Sequence, residues 1–309
     1  GGGLVQQKQT LWRRYMPVLL FVLILVIFSL LPSSPAVWRD VRRACGLGTF
    51  SDAADRAPFA FHVLDVGKAD SLLLECAGEA MLVDGGTPDQ GAGVVQYLKR
   101  RGICSLRYVV NTHPDADHIG GLPEVLRAFP VKTYLSPEQS ADTEEYRQTQ
   151  QALQECAIPV QHPQAGSVFF LGDAEIQIVA PLSIAEDTNN NSLVLRIVYG
   201  DTAFLLMGDA ELEEEASILA SGVQLQANVL KVGHHGSDTS TGKALLDAVQ
   251  PEYAAISTAW DTSRLPRESV LRRLQSIGAS SFRTDVCGTL LFLSDGKAVW
   301  AMTEKESCA

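Results

Sequence analysis

A chain of 309 residues with 46% hydrophobic composition and a formal net charge of −11 at pH 7 is long enough to bury a sizeable core. Its acidic balance repels polyanions at long range and argues against tight nucleic-acid binding through lysine and arginine, although metal ions in a cleft would reverse the sign locally. Six scattered cysteines, Cys45, Cys76, Cys104, Cys156, Cys287 and Cys308, form no CxxC pair, which excludes a structural zinc ribbon and a dense disulfide framework while leaving room for one disulfide in an extracytoplasmic domain.

The leading Gly-Gly-Gly, without a starting Met, reads as the end of a fragment. Residues 1–14 are a short tail, expected in the cytoplasm, with Lys8, Arg13 and Arg14. The uninterrupted apolar run Met16–Leu31 is close to the ~17 to 25 residues that cross a bilayer, so residues 15–31 are expected to form one transmembrane anchor. The alternative is a cleaved signal peptide, with small residues at Ser34-Pro35-Ala36. Arg39, Arg42 and Arg43 nearly balance the charge ahead of the run; the signal-like layout favours the tail inside and the following domain outside the cell membrane. Residues 32–58 carry Pro, Ser, Gly and mixed charge without periodicity and read as a linker.

The domain, expected over residues 59–303, opens with strands at Phe59–Val66, Ser71–Cys76 and Ala80–Val83. Val94, Val95 and Leu98 mark a helix ended by Gly102. A strand at Leu106–Asn111 runs into a polar loop, and Leu122, Val125, Leu126 and Phe129 mark the next helix. Lys132–Leu135 reads as a strand and Thr143–Cys156 as a helix. The second half is richer in strands: Val168–Leu171, Glu175–Val179, Ser192–Tyr199 and Thr202–Met207, the last two joined by a Gly200-Asp201 turn. A helix at Glu211–Ser221, a strand at Asn228–Val232, a helix from Lys243 and a strand at Tyr253–Thr258 come next. Two β-rich halves, each flanked by helices, predict a four-layer αββα sandwich.

The loop after Leu106–Asn111 is the centre of the chemistry. Thr112-His113-Pro114-Asp115-Ala116-Asp117-His118 packs four candidate metal ligands into six positions. Imidazole with carboxylate suits zinc, and a larger share of oxygen suits manganese. Further candidates come after apolar runs that end in Gly: Gly208-Asp209, and Gly233-His234-His235-Gly236-Ser237. Asp84 closes an earlier one, Leu82-Val83-Asp84-Gly85-Gly86.

The order D, HxDxDH, GD, HHGS resembles the metallo-β-lactamase fold, and in particular the C-terminal hydrolase domain of ComEC-type competence proteins. Leu64-Asp65-Val66-Gly67, Asp70-Ser71, Asn190-Asn191-Ser192, Lys231-Val232-Gly233-His234-His235-Gly236-Ser237 and Arg283-Thr284-Asp285 carry the likeness, which runs from Phe61 to Ala301. It implies a two-metal site. His113 falls at the first ligand position, Asp117 and His118 in the second site, Asp209 at the bridge and His234 at the final ligand. Asp115 stands where the usual pattern has His, and no later His completes the first site, since His162 reads as a surface residue. The second site is therefore expected to hold its ion tightly and the oxygen-rich first site weakly. The resemblance also implies that Asp84 and Asn191 support the ligands from behind. Lys68-Ala69 departs from the Gln-Gly common in the family and offers a cation to a phosphate or carboxylate.

A bound metal lowers the pKa of water and makes hydroxide available as nucleophile. Asp117 is a candidate base for that water and His235 a candidate catalytic contact. Glu213-Glu214-Glu215 reads as a solvated helix start, with Ser237, Ser240 and Thr241 capping the next helix. Together these residues point to a membrane-anchored metal-dependent hydrolase. Its expected substrate is a phosphodiester, with nucleic acid an admissible partner; the oligomeric state is not legible. Two alternatives stand beside it: a hydrolase of a small ester, lactone or phosphoester, and a binding protein with a degenerate site.

Overall fold

The computed structural model describes Met16 and residues 53–305. The expected anchor, Met16 apart, and nearly all of the expected linker lie outside the described residues. Among the described residues no helix is long and apolar enough to cross a membrane.

The first half of the domain supplies β1 (Phe59–Val63), β2 (Leu72–Cys76), β3 (Glu79–Val83), α1 (Gly91–Arg101), β4 (Leu106–Val110), α2 (Ala116–Ile119) and α3 (Leu122–Ala128). After these come β5 (Val131–Leu135), α4 (Glu144–Glu155) and the two-residue β6 (Val160–Gln161). The second half gives β7 (Val168–Leu171), β8 (Ala174–Ala180), β9 (Val194–Tyr199), β10 (Thr202–Leu206), α5 (Leu212–Ser221), β11 (Val229–Lys231) and α6 (Lys243–Val249). It ends with β12 (Tyr253–Ile256), α7 (Glu268–Ser276), β13 (Ser280–Arg283), α8 (Thr284–Cys287), β14 (Leu290–Ser294) and β15 (Val299–Thr303). Everything after β12 lies beyond the elements expected from the sequence.

The strands form an eight-stranded sheet, β15-β14-β1-β2-β3-β4-β5-β6, and a seven-stranded sheet, β13-β12-β11-β10-β9-β8-β7. Both faces of each sheet are covered, so the strands read as continuous apolar runs. In β1 to β3 the residues Phe59, Phe61, Leu72, Leu74, Met81 and Val83 point between the sheets. Leu73, Ala80 and Leu82 point to the opposite face, against Val94, Leu98, Leu122 and Val125 of α1 and α3. The seven-stranded sheet buries Leu205, Leu230, Ala254 and Ile256 against Ile218, Leu245, Val270 and Leu274 of its own helices. The arrangement is the expected αββα stack, but the sheets are not the two halves of the chain. β14 crosses back to pair antiparallel with β1, matching Phe61 with Phe292. Phe61 stacks on Phe292, and Phe59 tilts against Phe204 of the facing sheet with centroids 4.8 Å apart.

Two glycines set the approach of helices to the loops beside them. α1 stops where Gly102 turns left-handed, φ 77°, and returns its N–H to Leu98 and Lys99, as such helix ends commonly do. A Cβ at Gly121 would run into the Gly85 carbonyl, so only glycine lets the start of α3 lie against the loop after β3.

Behind β1 lies a buried polar cluster. His62 Nδ1 is 2.9 Å from the Tyr97 hydroxyl and its Nε2 is 2.9 Å from Glu75. Arg101 joins Glu75 at 2.9 Å and Asp55 at 2.8 Å, which ties part of the expected linker to the domain. Burial pushes the Glu75 carboxyl up, but His62 and Arg101 outweigh it and bring its pKa down to about 2. A depressed carboxyl contributes stability above its unfolded pKa, and that contribution is lost as pH falls through the folded value. Glu75→Gln should therefore lower the urea midpoint at pH 7, with the gap to wild type shrinking as pH falls from about 4.5 toward 2. A gap that stays constant across that range would show that the carboxylate charge is not what stabilises the cluster.

Candidate metal centre

The site forms where strands end at one edge of the sandwich: Asp84 after β3, the ligand loop after β4, Asp209 after β10, and Gly233–Gly236 after β11. Carboxyl ends of neighbouring parallel strands commonly build such clefts.

Asp84 is fully buried. It accepts hydrogen bonds from Thr112 N at 2.8 Å and Thr112 Oγ1 at 2.7 Å, and lies 2.8 Å from His118 Nδ1. A carboxylate at Nδ1 fixes the imidazole so that Nε2 faces inward, the usual support for a metal-binding histidine. His118 Nε2 then lies 3.3 Å from Asp209 Oδ1. With its ring between two carboxylates, burial lowers the His118 pKa but Asp209 and Asp84 raise it further, to well above the ordinary value. Burial would lift Asp209, yet His118 and His235 hold it well below the usual carboxylate range. The two shifts are two sides of one pairing, in which buried imidazole and carboxylate each favour the charged form of the other.

His113 is buried, with Nδ1 3.1 Å from Thr112 Oγ1 and 3.4 Å from Ser192 Oγ. Burial, with His118 beside it, lowers its pKa to about 4, which leaves the ring neutral and able to ligate near pH 7. Asp115 is more exposed, its Oδ2 3.8 Å from His113 Nε2. Asp117 is opposed by burial but held far below the usual range by His235 and His118.

The two adjacent histidines lie in different surroundings. The sequence points to His235 as a catalytic contact, but it is fully buried and its Nδ1 is 3.1 Å from the Ser257 carbonyl. Its Nε2 lies 3.5 Å from Asp117 Oδ2 and 3.7 Å from Asp209 Oδ2. His234, expected as the final ligand, stands at the edge, with Nδ1 3.0 Å from Glu211 Oε1 and Nε2 3.9 Å from Asp209 Oδ2. Both residues are left-handed, with φ of 47° and 52°. That rare backbone turns the two neighbouring side chains apart, and it costs energy at a site where the surroundings enforce it.

Other placements depart from expectation. The Asn191 amide is spent inside its own loop, accepting from Ala185 N at 2.8 Å and donating to the Ala185 and Asp187 carbonyls. Glu214 and Glu215 are buried. Glu214 accepts from Leu182 N, and Glu215 accepts from the N–H groups of Thr241 and Gly242. α6 starts after Gly242 without a side-chain cap, from Ser, Thr or otherwise, and the Glu215 carboxylate instead holds the two residues just ahead of it. Sequence reasoning also misses Lys231, which is fully buried and pairs with Asp70 at 2.8 Å. A lysine inside the apolar run Val229–Val232 is the available signal, because a buried ammonium needs a partner.

Nε2 of His113, His118 and His235 and Oδ1 of Asp209 are all buried without hydrogen-bond partners. Orphaned polar atoms are costly, and here they converge. His113, His118 and Asp209 form one group of candidate ligands, and Asp117, His118 and His235 another, each with its ligand atoms within 4.8 Å of one another. Asp70 and Asp84 also approach His118, but Lys231 and Thr112 already occupy them. The residues present therefore fit divalent metal ions.

Residues 64–260 match the profile of the metallo-beta-lactamase superfamily. The chain is 28% identical over 250 residues to ComE operon protein 3 of Bacillus subtilis, covering 74% of this chain and 32% of that protein. It is 30% identical over 282 residues to competence protein ComA of Neisseria gonorrhoeae, covering 90% and 38%. The chain thus spans about a third of the length of these relatives. Among solved structures, Igni18, a metallo hydrolase from Ignicoccus hospitalis, shares the fold with a TM-score of 0.52 over 76% of this chain and 99% of that one, at 16% identity.

Which of the two histidines ligates is open to a direct test. His235→Ala and His118→Ala should each remove the tightly held ion when metal content is measured by elemental analysis at matched free zinc. His234→Ala should keep it. Loss on changing His234 but not His235 would reverse the placement.

Proposed function

The chain belongs to the metallo-beta-lactamase superfamily and is a hydrolase of it, and from that premise we propose that it cleaves phosphodiesters, nucleic acid among them. The observation that carries metal-dependent hydrolysis is the convergence of partnerless nitrogens from His113, His118 and His235 on Asp209. The phosphodiester assignment draws support from relatives named for competence and, in Haemophilus influenzae, for recombination.

In this reading Asp117, His118, Asp209 and His235 would hold the tighter ion. His113, Asp115 and Asp209 would hold the weaker one, and His234 stands nearby. The donor set suits zinc or manganese. Bound divalent ions supply Lewis acidity and make water more acidic. Asp117, a quarter exposed where Asp209 is closed off, takes the proton that the attacking water gives up. Asp84 keeps the His118 ring oriented, and the Ser257 carbonyl does the same for His235.

A second reading, hydrolysis of a small ester, lactone or phosphoester, is favoured by the net charge of −11. An intact ligand cluster speaks against a degenerate binding site. The apolar run at residues 15–31 would anchor the domain to the membrane with the hydrolase outside, and the disulfide at Cys287 fits an oxidising compartment.

The full chain should hydrolyse bis(4-nitrophenyl) phosphate with added manganese or zinc and lose at least about 100-fold on chelation, about 2.7 kcal/mol in transition-state stabilisation. Activity untouched by a strong chelator would overturn the metal-dependent reading. Intact single-stranded and duplex DNA alongside turnover of a lactone would select the second. Protease added to intact cells should digest the domain, and complete protection until lysis would reverse the orientation.

A further inference from the structure

Lys68 is a cation built into a site otherwise made of carboxylates and imidazoles. Gly67 turns left-handed, φ 81°, and Ala69 and Asp70 beyond it are buried. Asp70 N donates to the Asp117 carbonyl at 3.0 Å, and Gly86 N donates to the Asp70 carbonyl at 2.8 Å. The segment is therefore zipped onto the ligand loop, and the backbone of Lys68 is held over it.

From that position Nζ reaches 3.5 Å from Asp117 Oδ2, with about a third of the side chain still exposed, 32%. Among the described residues, it is the one lysine or arginine that pairs with Asp115, Asp117 or Asp209. Lys231, the other cation nearby, is buried and committed to Asp70. Lys68 thus stands on the solvent side of the ligand cluster, beside Asp117, whose own side chain is a quarter exposed.

Structural bracing of Asp117 accounts poorly for this arrangement. A separation of 3.5 Å is at the outer limit of a hydrogen bond, and His235 Nε2 is as close to the same oxygen. Once Asp117 shares its charge with a divalent ion, an ammonium beside it gains less from the carboxylate and is repelled by the ion. An anion placed between the two cations relieves that repulsion.

We propose that Lys68 is a specificity-determining residue that binds the anionic oxygen of the substrate beside the metal centre, selecting phosphate esters that carry a negative charge over neutral esters. The proposal rests on the phosphodiesterase reading and names what that reading left open, the feature of the substrate that the protein itself recognises.

The test compares wild type, Lys68→Gln and Lys68→Arg in the full chain on two substrates with one leaving group. These are bis(4-nitrophenyl) phosphate, a monoanion, and diethyl 4-nitrophenyl phosphate, which is neutral. A charge-assisted contact made already in the ground state should appear mainly in KM. The ratio of kcat/KM for the anion over the neutral ester should fall about 10- to 100-fold in Lys68→Gln and be largely restored in Lys68→Arg. Inorganic phosphate titrated calorimetrically into the metal-loaded protein should bind at least about 10-fold more weakly to Lys68→Gln, with metal content equal in all three proteins. Equal losses on both substrates, a drop in metal content, or unchanged phosphate affinity would each overturn the proposal. Should wild type cleave only the neutral ester, the phosphodiesterase reading fails, and the phosphate titration still decides the role of Lys68.

Discussion

A buried lysine–aspartate pair ties the two sheets together at the site. Asp70 leads into β2 of the eight-stranded sheet and Lys231 ends β11 of the seven-stranded one, and their side chains are 2.8 Å apart with almost no exposure. Lys231 also donates to the Val232 carbonyl at 3.0 Å. Removing one partner of such a pair leaves an uncompensated buried charge, at a cost of about 3–5 kcal/mol. More than stability depends on it here. Asp70 fixes the ligand loop through its backbone, and its Oδ1 lies 3.7 Å from His235 Nδ1. The pair sets the spacing between ligands carried by one sheet and ligands carried by the other.

Much of this was legible in the sequence because ligand types fall where apolar runs stop. Strand periodicity marked most strands through β12, though not the two-residue β6, and the spacing of His113, Asp117, His118 and Asp209 pointed to one cleft. The features that the sequence left open share a cause. Which of His234 and His235 faces inward depends on two consecutive left-handed residues, and nothing in the letters announces a backbone that only tertiary contacts enforce. Glu214 and Glu215 looked solvated because three acidic residues at a helix start usually are. Their burial depends on backbone donors at Leu182, Thr241 and Gly242, which sequence distance conceals. The return of β14 to β1 was equally hidden, since local patterning says nothing about which sheet a strand joins.

Charge explains why the ligand cluster is arranged as it is. Three histidines and two aspartates share a space from which water is largely excluded, and the aspartates are kept ionised by the imidazoles beside them. Such a set is stable when positive charge enters it, whether as a proton on His118 or as a metal ion. Sites of this kind commonly couple metal binding to folding, and Asp84 at Nδ1 holds the His118 ring with Nε2 facing the other ligands.

The pairing of β1 with β14 also gives the domain a timetable. β1 is the first strand of the domain to be synthesised and lies between β2 and β14, so one of its two edges stays unpaired until Leu290–Ser294 has been made. Long-range pairing of this kind is slow, and an open strand edge invites association with other chains in the meantime. The ligand loop and Asp209 precede that closure in the chain, so a nascent protein carries its metal-binding residues well before its β-sheet is sealed. The hairpin of β14 and β15 is thus the piece that covers the last open edge of β1.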